Sequence, residues 1–258
     1  MKIISLNTWG GKIYHPLINF INKNAKDTDI FCFQEIFDTT SALTDVLGYR
    51  VNLFKEITKV LINYSGYFFP CIDNYLVGSF QKHFTDFNLS SGLAIFVKKS
   101  LKITSSGDFF VYRKKNDHKL GDFNTMPKNA QYISLSAAGK QFVICNIHGL
   151  WSTEGKYDTP SRIQQSQKVE KFLDDQKGGK ILCGDLNLAL NTRSLKILEE
   201  NMTNLIKKYN IPTTRNKHFP GMEKFADYTF VSPDVKVIDF QVPDIEISDH
   251  LPMILEFS

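Results

Sequence analysis

The chain has 258 residues, enough for one large domain with a substantial core or for two small ones. Its 42% hydrophobic and 22% charged residues are ordinary for a folded protein and exclude a disordered chain. The formal net charge of +4 is mildly basic, which permits a polyanionic substrate without demanding one.

Residues 2–8 read as a strand. Residues 15–25 read as a helix that tolerates Pro16 in its first turn. Leu17, Phe20, Ile21 and Asn24 follow the i, i+3, i+4, i+7 spacing, and three of the four are apolar. Residues 29–34 form a nearly continuous apolar run, as in a strand covered on both faces. A helix around 39–47 and a strand around 49–54 are expected next. Residues 55–90 are aromatic-rich, contain Pro70, show no clean period, and read as a long surface excursion. Its aromatics, among them Tyr64, Phe68, Phe80 and Phe84, read as the packing of that loop.

Strands are expected at 93–97, 108–113, 131–136 and 141–147. Thr159-Pro160 opens a helix, with Thr as N-cap and Pro at the first helical position, running to about residue 176. Residues 180–184 read as a strand and 193–208 as mostly helical. A polar loop follows from 210 to 221, then strands at 226–231, 236–241 and 252–257. No repeat or linker divides the chain, so a single domain over 1–258 is expected. Strands are too frequent, and helices too sparse in the middle, for a doubly wound sheet. Two sheets packed face to face with helices outside fit better.

No signal peptide or membrane span is visible, because no apolar run is long enough. Cys32, Cys145 and Cys183 sit in apolar runs, and no C-x-x-C pair occurs. With Cys71 they read as free thiols, which points to a reducing, cytoplasmic setting. No obligate protein partner is evident.

Several expected strands stop in the same way. An apolar run ends and a carboxylate, amide or imidazole follows: Asn7, Gln34-Glu35, His148, Asp185-Leu186-Asn187, and Ser248-Asp249-His250. Ligand sites in α/β proteins lie beyond the carboxyl ends of strands, so neighbouring strands would bring these residues to one rim. Each is individually compatible with an ordinary turn. Glu35 is harder to dismiss, because a carboxylate at the end of an apolar strand is costly unless paired or bound to a cation.

Carboxylate and amide oxygens suit a hard cation, Mg²⁺ or Mn²⁺, whereas zinc would favour more His or Cys at close spacing. A cation would relieve repulsion among Glu35, Asp185 and Asp249 and polarise a phosphoryl group. His148 and His250 suit donation to the non-bridging oxygens of a phosphorane-like transition state, or protonation of a leaving oxygen. Asp185 suits deprotonation of a water that Asn187 positions, and Asp227 suits a partner for His250. Arg215, in Thr213-Thr214-Arg215, could grip a phosphate or carboxylate. The basic stretch Arg113-Lys114-Lys115 with His118-Lys119 could meet a phosphate backbone, although a solvated turn explains it more simply. His15, His83 and His218 read as surface residues.

These segments carry a resemblance. Leu6-Asn7-Thr8-Trp9, Phe33-Gln34-Glu35, Asn146-Ile147-His148, Gly184-Asp185-Leu186-Asn187, Asp227-Tyr228 and Ser248-Asp249-His250 occur in an order that resembles the endonuclease/exonuclease/phosphatase superfamily, the DNase I-like fold. Arg162-x-x-Gln165 is similar as well. The resemblance spans almost the whole chain. It implies a four-layer α/β/β/α sandwich, one catalytic domain, and hydrolysis of a phosphodiester or phosphomonoester. It implies Glu35 as principal metal ligand assisted by Asn7 and Asp249, with Asp185 and Asn187 at the water. His148 and His250 would contact the phosphate, and Asp227 would support His250. Trp9 and Arg215 would lie on the substrate side. A phosphodiester such as nucleic acid is the leading substrate class. A phospholipid or a small metabolite is the alternative, since sphingomyelinase-like members share the Asn-Thr-Trp-Gly start and a histidine at 148. A catalytically silent binding protein is the remote one. Abasic-site endonucleases usually carry tyrosine where His148 stands.

Overall fold

The computed structural model describes residues 1–76, 87–119 and 122–258. In chain order these form β1 (Lys2–Asn7), α1 (Tyr14–Asn24), β2 (Ile30–Asp38), β3 (Asp45–Val46), β4 (Tyr49–Arg50), α2 (Leu53–Val60), β5 (Tyr64–Leu76), β6 (Asn88–Lys98) and β7 (Lys102–Tyr112). They continue as β8 (Lys128–Ala137), β9 (Lys140–His148), α3 (Pro160–Asp174), β10 (Gly179–Asp185), α4 (Arg193–Glu199), β11 (Thr203–Asn204), α5 (Leu205–Lys208), β12 (Asp227–Val231), β13 (Val237–Gln241) and β14 (Met253–Phe257). One six-stranded sheet has the order β13-β14-β1-β2-β6-β5, and the other β11-β12-β10-β9-β8-β7.

Successive strand residues point to opposite faces, and the burial pattern obeys this. Ile3, Ile30, Cys32, Ile95 and Val97 join one core with Ile144, Ile181, Val169 and Leu195 of the second sheet and its helices. Their neighbours Ile4, Phe31, Phe33 and Phe96 join a separate core with Leu17 and Phe20 of α1 and Leu53 and Ile57 of α2. The order is therefore helix, sheet, sheet, helix. This is the expected four-layer α/β/β/α sandwich. All four cysteines are free and buried, as expected.

Each sheet carries a central parallel pair. Asn7 of β1 stands opposite Gln34 of β2, and His148 of β9 stands opposite Asp185 of β10. The carboxyl ends of both pairs thus meet at one rim. The two sheets are locked in register by buried amides. Gln34 Nε2 donates to Asn146 Oδ1 at 2.6 Å, and Asn146 Nδ2 donates to the Phe33 carbonyl at 3.0 Å. Buried amides that find such partners specify one alignment, because a slip would strand them without hydrogen bonds.

The α3 expectation holds in detail: the Thr159 hydroxyl accepts from Arg162 N at 3.2 Å, with Pro160 opening the helix. Three expectations fail. Residues 39–47 are not helical. Instead Val46 pairs with Tyr49 across Leu47-Gly48, both at positive φ, which makes a tight two-residue hairpin. The strand expected at 49–54 shrinks to β4, and the helix starts at Leu53, where Leu53 and Ile57 bury one stripe. The excursion at 55–90 is largely regular. It supplies α2, the thirteen-residue edge strand β5 and the start of β6. Pro70 hid β5, but proline is admissible on an edge strand and at a bulge, and the β5–β6 register shifts just there. Tyr64 is buried, and Phe68 stacks on Phe54 with centroids 5.1 Å apart. His83, Phe80 and Phe84 lie outside the described residues.

Candidate active site

Glu35 and Asp185 face one another from opposite sheets, and Asn7 joins them. Its Nδ2 donates to Glu35 Oε1 and to Asp185 Oδ2, each at 3.1 Å. Its Oδ1 accepts from Trp9 N at 3.0 Å, so the amide presents its NH₂ face, and not its oxygen, to the two carboxylates. Glu35 reaches this position through a bulge. The β2–β6 register shifts between Phe33 and Ile36, and Glu35 itself sits at φ +57°. Bulges re-aim side chains, and a non-glycine residue at such φ is strained by roughly 1–3 kcal/mol, so the surrounding sheet must hold it there. Asn187 carries the same conformation at φ +53°. Gly184, at φ +133°, lets β10 approach β9, since a Cβ there would collide with the Ile147 carbonyl oxygen.

The second sheet contributes a denser network. Asp185 Oδ1 accepts from Asn187 N at 2.8 Å, and Asn187 Nδ2 donates to the Gly149 carbonyl at 3.3 Å. His250 Nδ1 lies 2.8 Å from both oxygens of Asp227, so that nitrogen carries the proton. His250 Nε2 then faces Asp185 Oδ2 at 3.6 Å. His148 Nε2 is 3.9 Å from Glu35 Oε1 and 3.9 Å from Asp185 Oδ2, so it overlooks both carboxylates. Ser248 ties the final loop to β1 by donating to the Asn7 carbonyl at 2.7 Å.

These environments set the charge states. Burial pushes the Glu35 carboxyl up, against the hydrogen bond from Asn7. Burial also acts to raise Asp185, but His250, His148 and Arg215 together hold it well below the usual carboxylate range. Burial opposes a charged His250, and the Asp227 carboxylate outweighs it and lifts the imidazole above its ordinary value. Burial and the Lys128 ammonium depress His148 to about 3, so its ring is neutral.

All the residues expected at a site do converge here, but with unforeseen partners. Arg215 Nη1 pairs with Asp249 Oδ2 at 2.9 Å while its guanidinium stacks on Phe219 at 4.2 Å. The carboxylate it grips is the chain's own. Trp9 contributes its N–H to Asn7, and its ring carries Lys12 Nζ at 4.5 Å. Arg162 and Gln165 brace the rim from below. Arg162 donates to the Leu150 and Tyr157 carbonyls, and Gln165 Oε1 accepts from Leu150 N at 2.7 Å. The basic stretch is mostly consumed internally: Arg113 pairs with Asp117, Lys115 with Asp73, and His118 packs on Tyr75.

Two cations at the site carry no signal in the sequence. Lys128 opens β8 and places Nζ 3.3 Å from His148 Nε2, a proximity that follows only from the β8–β9 register of Ala130 opposite Ile147. Lys156, in the loop after β9, is buried close enough to Asp185 and Asp227 to feel their charge.

Two groups could hold a metal ion. Asp185, Asp227 and His250 offer ligand atoms within 4.8 Å of one another. Glu35 is the other, since its carboxylate is paired with an amide rather than with a lysine or arginine among the described residues. Asp249 beside it is already neutralised by Arg215.

A sequence model of the Endonuclease/Exonuclease/phosphatase family matches residues 4–250. The chain belongs to that family. Family members act on phosphoester substrates and generally use a divalent metal. A search among curated proteins returns no match. Solved structures show the shared fold. A mannosyl-6-phosphatase from Bacteroides thetaiotaomicron is 19% identical, with TM-score 0.67, over 100% of this chain and 99% of its own. An Endonuclease/Exonuclease/phosphatase family protein from Leptotrichia buccalis is 17% identical, with TM-score 0.70, over 100% and 99%. The catalytic domain of human nocturnin, solved with a bound sulfate anion, is 20% identical, with TM-score 0.66, over 100% and 93%. No helix among the described residues is long and apolar enough to cross a membrane.

Proposed function

We propose that this protein is a divalent-metal-dependent hydrolase of phosphate esters, a phosphodiesterase acting on nucleic acid or a related phosphodiester, built as one catalytic domain. The observation that carries this reading is the meeting of Glu35 and Asp185 through Asn7, with His148 3.9 Å from both.

Glu35, Asn7 and Asp249 would hold Mg²⁺ or Mn²⁺. The donor set fits such an ion: a partly exposed carboxylate with no lysine or arginine ion pair among the described residues, beside an amide whose rotation would turn its oxygen inward. When bound, the ion polarises the phosphoryl group and offsets its charge. Asp185, ionised and fixed by the Asn187 N–H, accepts the proton of a water as its oxygen bonds to phosphorus. Asn187 orients that water. As the ester P–O bond breaks, the departing oxygen takes a proton from His250, whose charged form Asp227 favours. Lys128 and His148 meet the non-bridging oxygens, the ammonium as a charged donor and the neutral imidazole as a donor only in the tautomer that carries its proton on Nε2. Arg215 and Trp9 act on the substrate side by holding Asp249 and Asn7 in place.

A second reading, a small phosphate ester as substrate, is favoured by the internal pairing of Arg113 and Lys115, which leaves that stretch few charges for a nucleic-acid backbone. A panel of duplex DNA, single-stranded DNA, RNA, sphingomyelin and a sugar phosphate, each with Mg²⁺ and with chelator, tests both. Hydrolysis of a nucleic acid that stops in chelator is the expected result. Cleavage of the sugar phosphate alone selects the second reading, and no hydrolysis of any member overturns both.

A further inference from the structure

Lys156 is 6% exposed, in the loop between β9 and α3. An ammonium carries three N–H donors. Among the described residues this one makes a single long hydrogen bond, 3.4 Å to the Phe225 carbonyl oxygen, and it lies 5.4 Å from the Phe219 ring centroid. No ion pair reaches it among the described residues. Burial pushes its pKa down, and the charges acting on it are Asp185, Asp227 and Glu223, opposed by Arg215. A buried cation without a close partner costs stability. Packing alone does not account for a lysine here, because methionine fills a similar volume without that cost.

Its connections identify what it does. The Lys156 carbonyl accepts from Ala189 N at 2.8 Å, just beyond Asp185 and Asn187. Its Nζ holds the carbonyl of Phe225, and the next carbonyl, of Ala226, accepts from Leu186 N at 2.9 Å. Asp227 follows directly and takes His250 Nδ1. One residue therefore ties together the loops that carry Asp185 and Asp227, and it places a positive charge near both carboxylates.

We propose that Lys156 is a positioning residue: by holding the Phe225 carbonyl and placing its charge beside Asp185 and Asp227, it aims Asp227 at His250. Its effect on rate rests on the hydrolase reading above, whereas its effect on the His250 ring does not. Nothing in the sequence marked this residue, which sits amid the polar run Ser152-Thr153-Glu154-Gly155.

The test compares wild type with Lys156→Met, which keeps the apolar stem and drops the charge, and Lys156→Arg, which restores a cation. For Lys156→Met, kcat is expected to fall about tenfold or more with KM changed less than about twofold, since the effect acts in the transition state. Tm is expected to hold or rise, because a buried charge has been removed. The His250 Nδ1 proton resonance, recorded in chelator, is expected to move in Lys156→Met and to return toward its wild-type position in Lys156→Arg. A Tm that falls in step with kcat shows a purely structural tie and overturns the proposal. So does an unchanged kcat with an unmoved resonance. If wild type hydrolyses no phosphate ester, the hydrolase reading fails on its own, and the resonance still decides the role of Lys156.

Discussion

Glu35, at a bulge in β2, and Asp185, at the end of β10, are two carboxylates on central strands bridged by the same amide, yet they are kept in opposite condition. Glu35 takes a hydrogen bond from the Asn7 NH₂ and has His148 at 3.9 Å, and burial still drives its carboxyl up. Asp185 is more deeply buried, but it faces His250 and His148 and takes the Asn187 N–H, so its anion is strongly favoured. In the function proposed above, the first would serve as a ligand for a cation and the second as a base already charged. Two carboxylates given different environments take different tasks. The contrast also divides the sheets. The first sheet offers an incomplete site, and the second a finished hydrogen-bond network.

The strongest way to break this contrast is to neutralise Asp185. Asp185→Asn and His250→Ala are each expected to lower kcat by about a thousandfold, the usual size for a lost acid–base group, without unfolding the protein. Steady-state rates with matching circular dichroism would show it, and near-normal rates in both would remove the second sheet from the chemistry.

Next in size is Arg215→Met. It leaves Asp249 buried without its partner, which costs about 3–5 kcal/mol in metal-free protein. Chemical denaturation in chelator measures this. Mg²⁺ should restore part of the loss if Asp249 joins Glu35 at the ion, and no recovery would confine the ion to Glu35 and Asn7.

A somewhat smaller effect concerns Glu35. Mg²⁺ at a hundred times its Kd adds about 2.7 kcal/mol to a protein that binds it only when folded. That gain, read as a shift in Tm, is expected in wild type and in Asp185→Asn but not in Glu35→Gln. A shift kept in Glu35→Gln but lost in Asp185→Asn would place the ion at Asp185, Asp227 and His250, and an equal shift in all three would place it away from both groups.

The smallest effect is a pH dependence. The folded protein raises the His250 pKa above its ordinary value, so the stabilisation is complete below that ordinary value, about 6.5, and is lost as pH rises through the folded one. His148, depressed to about 3, acts only on the acid side, where stability falls as pH drops below about 6.5. Unfolding free energy in chelator should therefore decline from pH 6.5 upward in wild type, and this decline should vanish in Asp227→Asn. A decline of the same slope in both would show that Asp227 does not set the imidazole.

The site was legible to the extent that it is punctuation. Asn7, Glu35, His148, Asp185 and His250 each interrupt or follow an apolar run; Asn7, His148 and Asp185 end strands as expected, whereas Glu35 sits at a bulge inside β2 and His250 in the loop before β14. Lys128 and Lys156 were invisible for the opposite reason. Each sits among polar residues, and its importance comes from a neighbour that is remote in sequence. Arg215 was visible as a residue but not in its partner. The fold shows the same division. The strands with clean alternation and the Thr159-Pro160 helix start were read correctly, since their causes are local. The edge strand β5 was missed, because an edge tolerates Pro70 and mixed polarity that a central strand would reject.

By itself, the sequence determined which segments alternate, which side chains interrupt or follow them, and that these side chains are oxygen donors and titratable groups. Those properties belong to single residues and to neighbours within a few positions. Only the tertiary structure decided which carboxylate is charged, which is unpaired and which is neutralised. Asn7 and Asp185 lie 178 positions apart and meet at 3.1 Å. Coulombic and hydrogen-bond energies depend on such distances and on burial, and both are created only when the two sheets close on each other.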